Sequence, residues 1–464
     1  MAETNFIPPS DKQTLGHPRG LFVLFFTEMW ERFSYYGMRG ILILYLTKSF
    51  LEGGLGFDDK SAGLIYGCFT GFVYFTPLIG GWLADKYLGQ RKAIVIGSLL
   101  MMFGQLTLFA VNTHIGLYLG LFLLIIGNGF FKPNISTLVG GLYKQNDPRR
   151  DSAFTIFYMG INIGSFFAPL VAALLADNIF AITDGSGQIL THGYKYGFLA
   201  AAIGMLIGQF VFTSFSKKYL GSLGVTPVGK FKVAEGADVV NNNAPLTKSE
   251  KQRIGAIFVY FFFAIFFFAG FEQAGSSISL YTDRFVDRTL FGHNVSTILF
   301  QSINPLFVVL LAPLFAILWP TKIGQNVTTP IKMGSGLMLL GIGFFFMLGA
   351  ISQAGDDISN ITAKASMWWI VFTYLLHTMG ELCLSPVGLS VTTKLAPPKL
   401  ASILMGVWLL SSAFANFVGG WISSITSSMG FGSVYMVLCV GAIVFGLALI
   451  CLNKFLLKIM HGVR

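Results

Sequence analysis

Charged residues are scarce in this chain, and their scarcity limits what the protein can be. Aspartate, glutamate, lysine and arginine make up 11% of the 464 residues, whereas soluble domains contain about 25%. Hydrophobic residues make up 54%, and the mean hydropathy is +0.69. This composition excludes one large soluble core and predicts a protein that crosses a membrane many times.

Cysteine and the common catalytic motifs are also rare or absent. The four cysteines all lie in apolar stretches, which predicts packing residues rather than a disulfide framework. No signal peptide with a charged start and an apolar core precedes the first apolar segment. The motifs H-E-x-x-H, G-x-S-x-G and G-x-x-x-x-G-K-[ST] are missing. We therefore predict that the protein is not an enzyme, and we expect no cofactor.

Apolar segments long enough to span a bilayer occur twelve times in the sequence. They lie at about 21–47, 61–83, 93–111, 115–138, 153–176, 194–215, 252–275, 296–319, 331–351, 367–390, 400–423 and 431–453.

A polar stretch at 216–251 divides these segments six and six. It is too short to hold two further spans of about 20 residues each. We therefore predict a helical bundle over 1–215, a cytoplasmic linker over 216–251 and a second bundle over 252–464, with no extra helix pair between the halves.

The distribution of lysine and arginine predicts the orientation. Loops on the same side as the N-terminus carry most of these residues, and the opposite loops clearly carry only Arg284, Arg288 and Lys364. By the positive-inside rule, both termini are cytoplasmic. The net charge of +10 mostly reflects this bias, so a nucleic-acid partner has no support, and the lipid bilayer is the expected surroundings.

Four charged residues and a tyrosine interrupt the first apolar segment. On a helix, Glu28, Glu31, Arg32, Tyr35 and Arg39 share one face, because each residue turns by roughly 100°. An ionisable side chain at membrane depth costs at least about 2.5–3.5 kcal/mol, so it faces a cavity or a partner. Either these residues form an internal ion pair that fixes helix packing, or they form a site for a proton and a substrate; the second is our hypothesis.

Polar residues also lie within other apolar segments of the first half. Lys132 needs an anion or water, unless its side chain extends to the interface. Asn162 either binds a substrate or links two helices. Its neighbours Gly160 and Gly164 have the G-x-x-x-G spacing, which predicts a close helix contact.

The second half supplies the opposite charge. Glu272 and Glu381 are the only acidic residues within its apolar segments. The first half offers three intramembrane cations, Arg32, Arg39 and Lys132. Opposite charges on two bundles facing one cavity would form gates between the bundles. His377, one helical turn before Glu381, either couples to Glu381 or is a packing residue.

The second apolar segment ends in Gly80-Gly81-Trp82-Leu83-Ala84-Asp85-Lys86-Tyr87-Leu88-Gly89-Gln90-Arg91-Lys92. This run resembles the cytoplasmic loop signature of the major facilitator superfamily, with one extra residue before the second glycine. In this signature a carboxylate caps or pairs with basic groups at helix ends. We therefore expect Asp85, Arg91 and Lys92 to bias the conformation rather than to bind substrate.

Three further motifs resemble those of the proton-dependent oligopeptide transporter (POT) family, which belongs to that superfamily. They are Glu28-x-x-Glu31-Arg32-Phe33-x-Tyr35-Tyr36-Gly37, Phe157-Tyr158-x-x-Ile161-Asn162-x-Gly164-Ser165 and Gly380-Glu381-x-x-x-Ser385-Pro386-x-Gly388. The resemblance extends over nearly the whole chain. It implies a major facilitator fold and an inward, proton-coupled symporter of di- and tripeptides.

The resemblance also implies roles for individual residues. Proton coupling is expected at Glu28, Glu31, Arg32 and Glu272. Peptide binding is expected at Arg32, Arg39, Lys132, Asn162, Asn304 and Glu381, with a pocket lined by Tyr35, Tyr36, Tyr74, Trp408 and Ser412. Gating is expected at Asp85, Arg91, Lys92, Arg39, Glu272, Lys132 and Glu381. We expect the functional unit to be a monomer with the proton as its coupling ion.

The sequence departs from the family in informative ways. Many bacterial members carry two additional helices between the halves, for which this chain has no room. Animal members have a histidine in the second helix and a large extracellular domain before the tenth, and both are missing here. Protonation must therefore depend on glutamates, and a prokaryotic source with a location in the cytoplasmic membrane is expected.

Two other functions fit the sequence less well. A symporter of this family could carry nitrate or a larger amphiphile, but ligands of both charges favour a zwitterion over a simple anion. A transporter-like receptor would carry a long cytoplasmic extension, and both predicted tails are short.

Overall fold

The structure is a computed structural model, and it describes residues 13–462 except 145, 146, 148, 228–245, 320, 322, 323, 325, 362, 398 and 399, with backbone only at 401 and 402. The described residues are mainly helical, which confirms the predicted all-α class. Half of the predicted linker, 228–245, lies outside the described residues.

The described residues of the first half form six long helices. They are α1 (Arg19–Thr47), α2 (Asp59–Leu83), α3 (Gln90–Ala110), α4 (His114–Gly141), α5 (Arg149–Ala173) and α6 (Tyr194–Leu220). Single π-helical turns extend α2 through Ala84–Leu88 and α5 through Leu174–Ile179.

The second half contains both long and short helices. They are α7 (Lys248–Phe271), α8 (Ser277–Phe285), α9 (Ile303–Leu318), α10 (Thr329–Ala354), α11 (Trp368–Leu395), α12 (Ala401–Met429), α13 (Phe431–Cys451) and α14 (Asn453–Ile459). Short 3-10 turns lie at Glu272–Gly275, Thr297–Ser302 and Ile358–Asn360.

The described strands are two or three residues long and pair only in twos. The antiparallel pairs are β1 (Gln13–Thr14) with β2 (His17–Pro18), β3 (Ile182–Thr183) with β4 (Ile189–Thr191), and β6 (Thr289–Leu290) with β7 (His293–Asn294). The parallel pair is β5 (Val286–Asp287) with β8 (Ala365–Ser366). All of them connect or flank helices.

Eleven helical segments among the described residues are long and apolar enough to cross a membrane, with mean hydropathies from 1.3 to 2.7. Helix α1 is 29 residues long but is not among the eleven. The charged residues between Arg19 and Arg39 leave no sufficiently uncharged window in it. The total of twelve spans and the absence of an extra helix pair remain predictions.

The helix ends differ from the predicted segments on both sides of the linker. Helix α6 continues to Leu220, because lysines in a last turn complement the helix dipole. Helix α7 begins at Lys248, because Thr247 and Glu250 form a capping box. The peptide N–H of Glu250 donates to the Thr247 hydroxyl at 3.2 Å, and that of Thr247 donates to the Glu250 carboxylate at 2.7 Å.

The chain divides into two compact units, Met1–Gly56 with Phe72–Glu235, and Phe57–Gly71 with Gly236–Arg464. In the first unit, α1 packs against α5 and α6, and α3 packs against α4 and α6. In the second unit, α10 packs against α11 and α13, and α7 packs against α12. Helices that carry predicted site residues, such as α1 and α5 in the first unit and α11 and α12 in the second, therefore pack within their own unit.

Candidate functional site

Three charged side chains are buried in the middle of α1. Glu28 and Glu31 are 0% exposed and Arg32 is 4% exposed. Nη2 of Arg32 donates to Oε1 of Glu31 at 2.6 Å, and Nε donates to the other oxygen of the same carboxylate. Nε also lies 3.4 Å from Oε1 of Glu28, one helical turn earlier. The prediction that these residues share one helix face is confirmed.

Helix α4 brings a second cation to this cluster. Nζ of Lys132 donates to Oε1 of Glu28 at 2.7 Å. Asn128, one turn before Lys132, donates weakly to Oε1 of Glu31 at 3.4 Å. Of the alternatives for Lys132, an anion, water or an extension to the interface, the structure shows an anion, Glu28. We call Glu28, Glu31, Arg32 and Lys132 the charged cluster.

The charged cluster is balanced, because it contains two carboxylates and two cations. Burying a lone charge is costly, and breaking a buried pair by removing one partner costs about 3–5 kcal/mol. Each charge here has an opposite charge as its neighbour. Adding one proton to either carboxylate would leave the cluster with one net positive charge.

Close packing of α5 against α1 holds the cluster in place. A Cβ atom at Gly164 would lie 2.3 Å from the carbonyl oxygen of Met29, and one at Gly160 would lie 2.9 Å from the Phe25 ring. Larger residues would push the two helices apart. The predicted glycine contact is therefore confirmed.

Aromatic rings lie beside the cationic groups of α1. Cζ of Arg32 lies 5.1 Å from the ring centroid of Tyr35, and Cζ of Arg39 lies 5.9 Å from that of Tyr36. The two tyrosine rings meet edge to face at 5.3 Å. In this structure Asn162 donates to the carbonyl of Tyr158 within its own helix, at 3.0 Å.

The second unit contains a separate polar group around Glu381 on α11. Nδ2 of Asn304, at the start of α9, donates to Oε2 of Glu381 at 3.1 Å and to the hydroxyl of Thr378 at 3.0 Å. Thr378 is fully buried and donates to the carbonyl of Tyr374 at 2.7 Å. The two predicted ligands Asn304 and Glu381 therefore contact each other directly.

Glu272 lies at the break between α7 and α8. The helix changes there to a 3-10 turn, and the side chain of Gln273 donates to the carbonyl of Gly419 at 2.9 Å. The side-chain amide of Gln301 donates to the carbonyl of Ala274 at 2.7 Å. These bonds hold the turn that carries Glu272, whose side chain is buried.

Other predicted residues occupy distinct places. Trp408 is buried, and its indole packs so closely on Gly388 that a Cβ there would lie 2.1 Å from the ring. Ser412 and Tyr74 are half-buried. His377 packs beside Phe344, with ring centroids 4.9 Å apart, and this contact fits the packing alternative for His377.

The predicted gating loop is arranged around Arg91. Its Nη2 donates to the carbonyls of Gly221 at 2.7 Å and Ser216 at 3.2 Å, so it caps the end of α6. Asp85 and Lys92 are exposed. Arg91 therefore binds backbone carbonyls rather than the carboxylate of Asp85. The gating role of the loop remains a prediction.

Two polar neighbours of the predicted site residues have no role assigned from the sequence. Asn128 contacts Glu31, and Thr378 contacts Asn304. Each lies three or four residues before a predicted site residue on the same helix, Lys132 or Glu381. Polar residues at this spacing within an apolar segment share a helix face, and this signal could have identified both.

A metal centre would require several ligating side chains close together. Within the described part of the chain, no three histidine, cysteine, aspartate or glutamate side chains are grouped to hold a metal ion. The expectation that the protein works without a cofactor remains a prediction.

Comparison with known proteins identifies the family. The sequence model of the POT family matches residues 91–221 and 231–437. The chain belongs to the POT family. It is therefore a membrane transporter of this family rather than an enzyme, as the three sequence motifs predicted.

Individual relatives match over almost the whole chain. The uncharacterized transporter YclF of Bacillus subtilis (strain 168) is 38% identical, with 97% of each chain covered. A di-/tripeptide transporter of Lactococcus lactis subsp. lactis (strain IL1403) is 32% identical, covering 98% of this chain and 99% of the relative. A crystal structure of the peptide transporter POT in complex with sulfate matches with a TM-score of 0.86 at 33% identity, covering 98% of both chains. The predicted major facilitator fold is therefore confirmed.

Proposed function

We propose that this POT-family transporter is a proton-coupled symporter that imports di- and tripeptides across the cytoplasmic membrane by alternating access. The name of the Lactococcus relative supports the substrate class. The lysine and arginine distribution supports cytoplasmic termini. We further propose that a monomer is the functional unit and that the source is prokaryotic.

The observation that carries this proposal is the bond from Lys132 to Glu28 at 2.7 Å within the balanced, buried charged cluster. Such a cluster is stable without a ligand because its charges cancel. A proton on Glu28 or Glu31 removes one negative charge, and the cluster then lacks an anion. The carboxylate of a peptide supplies that anion, so proton and peptide bind together.

Glu28 offers a place for the proton. Its Oε1 accepts from Lys132 and lies near Arg32, whereas its Oε2 has no hydrogen-bonding partner among the described residues. A proton on Oε2 would weaken the attraction of both cations to this carboxylate. The protonation of a buried carboxylate depends strongly on which charges remain beside it, which is the requirement for coupling.

The amine of the peptide requires an anion of its own. We propose that Glu381 supplies it, with Asn304 holding the carboxylate through the bond of 3.1 Å. We also propose that Asn162 breaks its bond to Tyr158 to bind the peptide. The pocket proposed from the family motif consists of Tyr35, Tyr36, Tyr74, Trp408 and Ser412. Broad aromatic walls suit substrates whose side chains vary.

Alternating access requires contacts that break and re-form. We propose that Glu272 and Arg39 form one gate, that Lys132 and Glu381 contribute to another, and that Asp85, Arg91 and Lys92 favour one conformation at the cytoplasmic face. Rocking of two helical bundles around a central site is a common mechanism of membrane transporters.

Uptake of a labelled dipeptide into liposomes tests the proposal. The wild type is expected to concentrate dialanine when the outside is acidic, and a protonophore should abolish this. Glu31→Gln should lose proton-driven uptake but keep counterflow exchange, because exchange needs no net proton movement. Glu52→Gln is the matched control, since Glu52 lies in a loop and bonds to Ser49 and Lys48 beside it in the chain.

Three outcomes would count against the proposal. Wild-type uptake that ignores the pH gradient would exclude symport. If nitrate inhibited uptake of the labelled dipeptide and unlabelled dialanine did not, the anion alternative would be favoured. Loss of both counterflow and binding in Glu31→Gln would instead assign Glu31 to a structural ion pair.

A further inference from the structure

A cavity of about 360 Å³ lies in the second unit, and its lining does not include Glu381. It is bounded by the end of α9, the start of α10 and the last turns of α11. Three valines and a proline form its apolar wall. The other lining residues are one aromatic residue, Trp319, and five polar or charged residues: Thr328, Thr329, Lys332, Ser390 and Lys394.

The charge of this cavity is entirely positive. Lys332 and Lys394 both line it, and the described lining residues include no carboxylate. Nζ of Lys332 lies 4.5 Å from the ring centroid of Trp319, so an aromatic face is beside the amine. Two like charges that line one cavity repel each other, and an anion between them removes this repulsion.

The first turn of α10 adds to the positive potential. Its N-cap residue Thr328 makes no side-chain bond to the helix and donates instead to Asn453 at 2.6 Å. Pro330 has no peptide N–H to contribute. The remaining N–H groups of the first turn therefore lack a capping bond from Thr328, and the helix dipole favours an anion near them.

The position of the cavity indicates which anion it meets. Candidate spans end at Leu318 and Leu395 and begin at Thr329, so the cavity lies at the level where three spans end. Phosphate groups of phospholipids lie at this level, and tryptophan is enriched there. Basic pockets between helices on the cytoplasmic side are suited to anionic head groups.

We propose that this cavity binds the phosphate group of an anionic phospholipid through Lys332 and Lys394, with the glycerol and the first acyl carbons against the valines. The site is independent of the proposed peptide transport, and nothing in its chemistry requires a peptide. A free phosphate ion would satisfy the same lysines but would leave the apolar wall exposed.

Native mass spectrometry of the full-length protein in detergent tests the site. The wild type is expected to retain phosphatidylglycerol more tightly than phosphatidylcholine. Each of Lys332→Gln and Lys394→Gln should weaken phosphatidylglycerol binding about fivefold, and the double variant about 25-fold. Lys218→Gln is the matched control, because Lys218 ends a helix of the first unit and lines no part of this cavity.

Further measurements distinguish a bound lipid from a soluble anion and from a folding defect. Charge-conserving Lys332→Arg with Lys394→Arg should restore most of the binding, and an unchanged thermal midpoint in lipid-free detergent should show that the glutamine variants remain folded. Equal retention of both lipids, or a double variant that binds like the wild type, would overturn the proposal. Displacement of the lipid by millimolar inorganic phosphate would assign the cavity to a soluble anion instead. Proton-driven dipeptide uptake should persist in the double variant.

Discussion

Arg284 donates two parallel hydrogen bonds to Asp59, each 2.6 Å long. Asp59 begins α2 and Arg284 lies in the last turn of α8, and both belong to the second unit. The side chains are 19% and 23% exposed. Two parallel bonds fix the relative orientation of both planar groups, so this pair joins the two helix ends more firmly than an ordinary surface ion pair does.

Reversing this pair should reveal its strength. Asp59→Asn is expected to destabilise the unit by about 1–2 kcal/mol, between the values for exposed and buried pairs. The exchanged double variant Asp59→Arg with Arg284→Asp should recover most of the loss. Thermal unfolding in detergent measures both effects. A double variant no better than the sum of its single substitutions would show that the bidentate geometry contributes nothing.

The charged cluster should behave as a coupled set. Lys132→Gln leaves the charged cluster with one net negative charge and should cost about 2–4 kcal/mol, slightly less than a fully buried pair because Lys132 is partly exposed. Glu28→Gln with Lys132→Gln restores charge balance and should be less destabilised than Lys132→Gln alone. A double-mutant cycle on unfolding free energies measures the coupling. Additive effects would exclude a shared charge balance.

Glu381 should discriminate between charged and blocked amines. Glu381→Gln is expected to weaken dialanine binding by roughly 10- to 150-fold, since hydrogen bonds to charged groups contribute about 1.5–3 kcal/mol. Acetylated, amidated dialanine should bind weakly to both proteins with little difference. Competition against a labelled dipeptide measures these affinities. An equal loss for both competitors would mean that Glu381 does not recognise the amine.

The glycine contact between α5 and α1 predicts a position-specific effect. Gly164→Ala should lower the thermal midpoint by several degrees, because its Cβ would lie 2.3 Å from the carbonyl oxygen of Met29, a distance at which the helices must separate. Gly441→Ala is the control, since a Cβ there meets nothing within 4 Å. It should be neutral or slightly stabilising, because alanine favours a helix. Similar midpoints for both variants would disprove the close contact.

A pH effect is expected at the N-terminal hairpin of β1 and β2. Hydrogen bonds from Arg149 lower the pKa of Asp147 to about 2, and Arg149 also donates to the carbonyl of Gly16 in the hairpin turn at 3.0 Å. Because the pKa of Asp147 is depressed in the folded state, its stabilising effect is present above about pH 4 and is lost as the pH falls toward about 2. Hydrogen exchange of residues 13–18, corrected for the intrinsic exchange rate at each pH, should therefore become faster as the pH falls over this range.

Asp147→Asn provides the comparison for this pH effect. Its hairpin should exchange at a faster rate already at neutral pH, and that rate should depend less on acid once the intrinsic exchange rate is taken into account. A wild-type hairpin that exchanges equally at pH 5 and pH 2 after the same correction would contradict the role of the ion pair.

The sequence was most informative where charge interrupts an apolar segment. Glu28, Glu31 and Arg32 had to share a face because the helix period is fixed, and their cost in a membrane required a partner such as Lys132. The family motifs then indicated the transporter class. Helix ends were less predictable from hydropathy. The start of α7, for example, is set by the capping bonds between Thr247 and Glu250, and these two polar residues lie before the apolar segment.

Contacts between distant segments were not predictable from the sequence. Asp59 and Arg284 are separated by 225 positions, and nothing in their local patterns pairs them. The loop signature around Asp85 and Arg91 names no partner for Arg91, and the structure shows that Arg91 donates to the carbonyls at the end of α6, more than 120 positions away. Such partners depend on how the helices pack against one another. Hydrophobic periodicity shows which face of a helix is buried, but it does not show which other helix covers that face.

The separation between Glu28 and Lys132 has a consequence for biosynthesis. Arg32 follows Glu31 directly and can neutralise it as soon as α1 forms, whereas Lys132 is 104 positions farther along the chain. At about 5–20 residues per second, the ribosome adds Lys132 roughly 5–20 s after Glu28. During that interval Glu28 and Glu31 share the single cation Arg32, and an unbalanced charge at membrane depth costs about 2.5–3.5 kcal/mol, so the first helix is expected to become more stable in the bilayer once the fourth helix supplies Lys132.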